Sequence, residues 1–164
     1  MIILGIDPGT AITGYGIVKK SKDRKFTVLD YGCIFTQPNQ SSGNRLKKIY
    51  NEIEKLIKKY KPDLISVESI YFFKNLKTAM PVSQAKGVII LAAAKKNIPI
   101  CEVTPLQVKM AVVGYGRAEK KQVQKMIKNL LNLEEKPKDK GKRKDDAADA
   151  LGVAICGGLK YYSI

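Results

Sequence analysis

Three strand-like segments joined by short turns occupy the first 35 residues, and they constrain the fold more than any other feature of the sequence. An apolar run at 2–6 stops at an Asp-Pro-Gly turn, a second segment follows at 13–18, and a third spans 26–35. Such short connections join antiparallel strands, because parallel neighbours need a crossover of about a dozen residues or more. The chain is therefore predicted to begin with an antiparallel meander.

After residue 45 the pattern changes to helices that alternate with buried strands. Apolar residues at helical spacing precede a short strand that ends at Glu68, and Asn44 is the expected N-cap of that helix. Together with the meander, this order predicts one α/β domain over residues 1–164, with a five-stranded mixed sheet (three antiparallel strands, then parallel ones) flanked by helices. The predicted helices are 46–60, 79–96, 105–112, 119–133 and one from about 145, and the later strands are 64–67 and 98–103.

Composition excludes several classes of protein. Thirty Lys and Arg against 15 Asp and Glu give a formal net charge of +15, which favours polyanionic partners, nucleic acid ahead of an anionic membrane. The chain has no histidine, so Ser-His-Asp catalysis and His-ligated zinc are excluded. Three widely spaced cysteines fit a reducing cytoplasm. The start is not typical of a signal peptide, and the longest apolar run, Val88–Ala94, is too short to span a membrane.

Four acidic residues stand at positions where sites form in α/β proteins. Asp7 ends the first strand and Glu68 ends the fourth, so the two carboxylates face each other if those strands are neighbours. Asp146 and Asp149 share one face of the last helix. Oxygen ligands of this kind suit Mg²⁺ or Mn²⁺, and paired ions can clamp a phosphodiester during in-line displacement. Each acid alone has an ordinary alternative role as a turn residue, a helix-dipole partner or a solvated side chain.

Aromatic and basic residues near these acids indicate contact with nucleic acid. Aromatic side chains in a loop close after Glu68 are able to stack on bases or wedge between them, although core packing is an alternative. Basic residues around the glycine-bearing loop 112–116 are able to contact a phosphate backbone, although a solvated lysine face is the alternative. The candidates for DNA contact are Tyr71, Phe72, Lys74, Lys109, Arg117 and Lys120.

Several collinear motifs resemble one known family. Ile3-Leu4-Gly5-Ile6-Asp7-Pro8-Gly9-Thr10, followed by Thr13-Gly14-Tyr15-Gly16, is similar to the N-terminal signature of the RuvC family of bacterial crossover junction endodeoxyribonucleases. The resemblance covers nearly the whole chain. It continues through Val67-Glu68, Lys74-Asn75, Gln84-Ala85-Lys86-Gly87-Val88, Gln107-Val108-Lys109, Val112-Val113-Gly114-Tyr115-Gly116, Ala118-Glu119-Lys120 and Asp146-Ala147-Ala148-Asp149-Ala150-Leu151.

The resemblance implies a ribonuclease-H-like fold and an activity in homologous recombination and DNA repair. A homodimer would resolve four-way (Holliday) junctions by paired symmetric nicks, leaving 5′-phosphate and 3′-hydroxyl ends. The cofactor expected from the chemistry of the four acids is Mg²⁺, with Mn²⁺ as a substitute and two ions in each active site. The implied setting is the bacterial cytoplasm, with the RuvA–RuvB branch-migration complex as partner and no membrane.

The resemblance also assigns roles to residues of this chain. The four acidic metal ligands of the family match Asp7, Glu68, Asp146 and Asp149, and Asp145 adds a fifth acid beside them. The junction-wedging aromatic matches Tyr71, with Phe72 and Phe73 as neighbouring alternatives, and the two DNA-contacting lysines match Lys109 and Lys120.

Symmetric nicking of two strands calls for two active sites, so a two-fold dimer is expected. The helix at 79–96 is apolar on all sides, and it is the expected interface because a monomer would expose one of its faces. The sequence is also compatible with three other functions: an actin-like phosphotransferase, a ribonuclease-H-like nuclease that cuts RNA–DNA hybrids, and a catalytically silent junction-binding module.

Overall fold

A computed structural model of the chain describes residues 1–69, 76–133 and 143–161. The described part contains five strands and five helices, in the predicted order. The strands are β1 (Ile2–Asp7), β2 (Ile12–Lys20), β3 (Phe26–Phe35), β4 (Leu64–Glu68) and β5 (Ile100–Val103). The helices are α1 (Ser42–Tyr60), α2 (Leu76–Ala94), α3 (Pro105–Val113), α4 (Lys120–Leu130) and α5 (Arg143–Lys160).

The strands form one mixed sheet in the order β3-β2-β1-β4-β5, which confirms the predicted fold class. The first three strands pair antiparallel, while β4 pairs parallel with β1 on one side and with β5 on the other. Ile6 lies opposite Val67 in the β1–β4 ladder, so the next residues, Asp7 and Glu68, emerge side by side. The predicted acidic site requires β1 and β4 to be neighbours, and in the structure they are.

Helices cover both faces of the sheet. Successive residues of β1 point to opposite sides: Leu4 packs into a core shared with α1 and α2, whereas Ile3 packs into a core shared with α3, α4 and α5. Both side chains have no exposed surface. Burial on both faces accounts for the continuous apolar run of β1, which a half-exposed strand would not have.

Glycines in the sheet allow α5 to lie against the strands at very short range. An added Cβ at Gly5 of β1 would sit 2.5 Å from the backbone nitrogen of Ala154, and one at Gly16 of β2 would sit 2.8 Å from the backbone nitrogen of Leu151. Any larger residue at these two positions would push the helix away. The glycines are therefore what lets α5 bring Asp146 and Asp149 to the end of β1.

Some local expectations were wrong. Ser41, not Asn44, caps α1, because the Ser41 hydroxyl oxygen accepts the Asn44 backbone N–H at 3.3 Å. The second strand, predicted to end at residue 18, extends to Lys20, which is buried at the end of β2 and donates from Nζ to the Gly158 carbonyl oxygen at 2.6 Å. Within the described ranges, no helix has both the length and the apolar character needed to cross a bilayer.

Candidate active site

Three aspartates meet where the end of β1 approaches the first turns of α5. One carboxylate oxygen from each of Asp7, Asp146 and Asp149 lies within 4.8 Å of the others, and all three residues are partly buried. Asp146 and Asp149 are three residues apart, so both project from the same helix face toward Asp7. The structure therefore brings together three of the four acids that the sequence singled out.

The fourth acid, Glu68, shares a hydrogen bond with Asp7 at the adjacent strand end. Burial is the largest cause that raises the pKa of Asp7, and together with the charges of Glu68 and Asp149 it brings this pKa from its usual 3.8 to about 8. Burial also raises the pKa of Glu68, although the hydrogen bond from Asp7 acts in the opposite direction. In the metal-free protein the hydrogen-bonded pair of Asp7 and Glu68 therefore retains a proton above the usual pKa range of a carboxyl group.

The raised pKa of Asp7 predicts a pH-dependent loss of stability when no metal is present. Because the unfolded chain releases this proton near pH 3.8 and the folded chain near pH 8, stability falls as the pH rises between those values and levels off above them. Asp7→Asn removes this penalty. Its free energy of unfolding in EDTA should exceed that of the wild type at pH 8 by about 1.4 kcal/mol or more, the equivalent of one pKa unit.

Urea denaturation at pH 5 and pH 8 measures this effect, and the wild-type protein should lose more stability than the variant between the two pH values. Saturating Mg²⁺ should reduce the difference, because a bound cation compensates the ionised carboxylates. An identical pH dependence for the two proteins would contradict the proposed environment of Asp7.

Helix α4 provides two further polar contacts to the cluster. Lys120 Nζ lies 2.7 Å from Asp149 Oδ2, and Gln124 Nε2 donates to Asp149 Oδ1 at 3.3 Å. Lys120 had been expected to contact DNA, and its pairing with an acid of the cluster was not anticipated. Gln124 was missed altogether; its only sequence signal is its place four residues after Lys120, on the same helical face.

The donors of this cluster fit a hard divalent cation. Within the described part of the chain, the grouping of potential ligands is formed by carboxylates and contains no cysteine. Carboxylate oxygens in a partly buried setting are typical of Mg²⁺ and Mn²⁺ sites, whereas zinc prefers nitrogen and sulfur ligands. A cation here would also relieve the repulsion that raises the pKa of Asp7.

The other predicted site residues have different surroundings. Lys109 is half-buried on α3, and Arg117 is exposed in the connection that precedes α4. Val108 of α3 and Ala118, the residues next to Lys109 and Arg117, pack into the core shared with α4 and α5, so both basic residues belong to that side of the sheet. Tyr71, Phe72, Phe73 and Lys74 lie outside the described residues, as does the side chain of Asp145.

Comparison with known proteins gives a consistent result. A model of the family described as "Crossover junction endodeoxyribonuclease RuvC" matches residues 3–157. The RuvC proteins of Ruminiclostridium cellulolyticum and Alkaliphilus metalliredigens are each 58% identical to this chain; the alignments cover 98% and 95% of it, and 93% and 92% of those relatives. The structure of Thermus thermophilus RuvC in complex with a Holliday junction superposes with a TM-score of 0.89 at 28% identity, over 99% of this chain and 96% of that one.

These matches favour an endodeoxyribonuclease over the phosphotransferase, the hybrid-cutting nuclease and the silent binding module. The family is one of metal-dependent nucleases, with which the cluster of Asp7, Asp146 and Asp149 is compatible. On its sequence, its fold and the geometry of its acids, this chain belongs to the RuvC family of crossover junction endodeoxyribonucleases.

Proposed function

We propose that this protein is a homodimer that resolves four-way DNA junctions by two symmetric, divalent-metal-dependent nicks. The observation that carries the proposal is the meeting of Asp7, Asp146 and Asp149 within 4.8 Å in a chain of net charge +15. An acidic cluster would repel DNA, whereas the same cluster loaded with cations on a basic protein would attract a phosphate at that point.

The four acids would hold Mg²⁺ or Mn²⁺, with two ions in each site. Bound there, the metal would supply an activated water and charge stabilisation for the leaving oxygen, which yields 5′-phosphate and 3′-hydroxyl ends. Asp7 would anchor the site from the rigid end of β1, and α5 would supply Asp146 and Asp149 in a fixed relation to each other. Glu68, hydrogen-bonded to Asp7, would complete the ligand set once that pair loses its proton.

A basic surface beside the acids would bind the arms of the junction. Lys109 and Arg117 lie before α4 in the chain, and the segment with Tyr71, Phe72 and Lys74 follows Glu68 directly. We assign phosphate contacts to the basic residues and wedging of the junction to the aromatic ones. Lys120, which pairs with Asp149, would move to the scissile phosphate when a cation takes its place.

Lys109→Ala should make junction binding less sensitive to salt. Each phosphate contact that is lost lowers the slope of log K against log salt by about 0.9 on duplex DNA. Fluorescence anisotropy across a series of salt concentrations measures the slope. Lys55→Ala, which removes an exposed lysine paired with Glu52 on α1, is the matched control. Equal slopes for Lys109→Ala and the wild type would show that Lys109 makes no phosphate contact.

The dimer is proposed to form through the outer face of α2. Met80 and Leu91 on this helix are 63% and 54% exposed, and the position of Gly87 between them has open space around it. A stripe of exposed apolar and small residues allows two helices to approach closely. A two-fold dimer would then present two active sites to a two-fold symmetric junction.

Leu91→Glu should therefore convert the dimer to a monomer. Because Leu91 is exposed in the single chain, the substitution should leave the fold intact while placing two like charges at the dimer axis. Light scattering at micromolar concentration should give half the wild-type mass, and paired nicking should change to unpaired nicking. Leu29→Glu, at an exposed position of β3, should remain dimeric. A wild-type protein that is monomeric would contradict the proposal.

The proposed cellular role is homologous recombination and DNA repair in the bacterial cytoplasm. There the RuvA–RuvB branch-migration complex would deliver junctions to the protein. This partner is proposed on the ground of family membership.

Mapping of nicks on a mobile four-way junction tests the function. With Mg²⁺, the protein should cut two opposing strands at symmetric positions, and a ligase should seal both nicks. Ca²⁺ should support binding without cleavage because its coordination is looser. A linear duplex and an RNA–DNA hybrid of the same sequence serve as control substrates. Cleavage of the hybrid in preference to the junction would overturn the proposal.

A further inference from the structure

Helix α4 contacts both oxygens of Asp149 from a single face. Lys120 Nζ is 2.7 Å from Oδ2, and Gln124 Nε2 is 3.3 Å from Oδ1. The two donors are four residues apart and thus lie one above the other on the helix. Contacts to both oxygens fix the orientation of the Asp149 carboxylate. A fixed orientation favours metal binding, and a carboxylate that is only solvated does not have it.

The two contacts differ in what a cation would do to them. The Lys120 ammonium competes with a divalent cation for the same carboxylate, and its side chain is 58% exposed, so it is able to withdraw. The Gln124 amide carries no charge and is half-buried, so its hydrogen bond is compatible with a cation on the other side of Asp149. Donors that hold a ligating carboxylate from behind fix its orientation and raise metal affinity.

The position of Gln124 is itself fixed by packing. Glu119 begins α4 with a capping box, in which the Gln122 side-chain oxygen accepts the Glu119 backbone N–H at 2.9 Å. Farther along, Ile127 is fully buried, and its Cδ1 lies 2.9 Å from where a Cβ of Gly152 would be. Because Gly152 is one helical turn after Asp149 on α5, this contact sets the register between the two helices beside the site.

We propose that Gln124 is a positioning residue that orients Asp149 for divalent-metal binding and persists when Lys120 withdraws. This inference rests on the proposed metal-dependent function. It assigns to α4 a role in metal affinity that is separate from binding DNA.

Two substitutions test the role of Gln124. Gln124→Met keeps the length of the side chain and removes the donor, while Gln124→Glu replaces the donor with a charge that repels Asp149. Gln40→Met makes the same chemical change at an exposed loop position and is the control. The readouts are the Mg²⁺ concentration at half of the metal-induced rise in Tm, and separate kcat values at limiting and saturating Mg²⁺.

Both Gln124 variants should need about tenfold more Mg²⁺ or more for the half-maximal rise in Tm, as is usual when a partner of a metal ligand is lost. Their kcat should recover at saturating Mg²⁺, and Gln40→Met should match the wild type. If Mg²⁺ raises the Tm of the wild type and both variants show the wild-type Mg²⁺ midpoint, the role of Gln124 is overturned while the metal proposal stands. A wild-type Tm that does not respond to Mg²⁺ would overturn the metal proposal together with this one.

Discussion

Replacing Asp7 with asparagine should abolish junction cleavage while junction binding persists. The rate should fall by about 10³-fold or more, because the proposed metal site would supply several kcal/mol of transition-state stabilisation and would be lost with Asp7. Asp7 is central to the cluster: it shares a hydrogen bond with Glu68, and one of its oxygens lies within 4.8 Å of those of Asp146 and Asp149. Binding should persist, since the basic residues assigned to the arms of the junction are unchanged in this variant.

Single-turnover cleavage and a binding assay in Ca²⁺ separate the two effects. Asp23→Asn is the control, because Asp23 is an exposed acid in the β2–β3 turn and pairs there with Lys25. It should cut at the wild-type rate. Cleavage by Asp7→Asn at a comparable rate would remove Asp7 from the active site and with it the present account of catalysis.

Replacing Gly5 with alanine should cause the largest loss of stability among glycine-to-alanine substitutions in the sheet. The new Cβ would lie 2.5 Å from the Ala154 backbone nitrogen and 2.7 Å from the Ala154 Cβ, so α5 would have to move as a unit. Overpacking of this kind against backbone costs about 3 kcal/mol. Any shift of α5 would also separate Asp149 from Asp7, so cleavage should fall even where the variant remains folded.

Urea denaturation of Gly5→Ala and Gly43→Ala tests this explanation. Gly43 stands in the first turn of α1, where an added Cβ meets nothing within 4 Å. Alanine there should be neutral or stabilising by up to about 1 kcal/mol, as is expected from helix propensity. Equal stability of the two variants would show that close helix–sheet contact does not hold α5 in place.

The sequence was informative about the site because its acids mark the ends of regular elements. Asp7 and Glu68 each end a buried apolar strand. If those two strands are parallel neighbours, their carboxyl ends lie side by side, and this was enough to predict that the two acids meet. The spacing of Asp146 and Asp149 placed both side chains on one face of a helix. They reach Asp7 because the first turns of that helix, α5, lie at the edge of the sheet where β1 ends. These inferences use the periodicity of single elements and the order of elements along the chain.

The contacts that the sequence did not reveal depend on how separate elements pack. The pairing of Lys120 with Asp149 needs the register of α4 against α5, which is set by the contact between Ile127 and Gly152. The burial of Lys20 likewise depends on the Gly158 carbonyl oxygen, 138 residues away along the chain. No local pattern encodes such distances. The assignment of the wedge to Tyr71 stays a prediction, since that residue lies outside the described part of the chain.

Diffraction from crystals grown with Mn²⁺ would test the central claim most directly. An anomalous peak should lie among the carboxylates of Asp7, Asp146 and Asp149, with Glu68 close enough to join the ligand set, and the peak should be absent in Asp7→Asn. A structure in which Mn²⁺ binds elsewhere, while these acids remain as a metal-free cluster in an enzyme that still cuts junctions, would contradict the account.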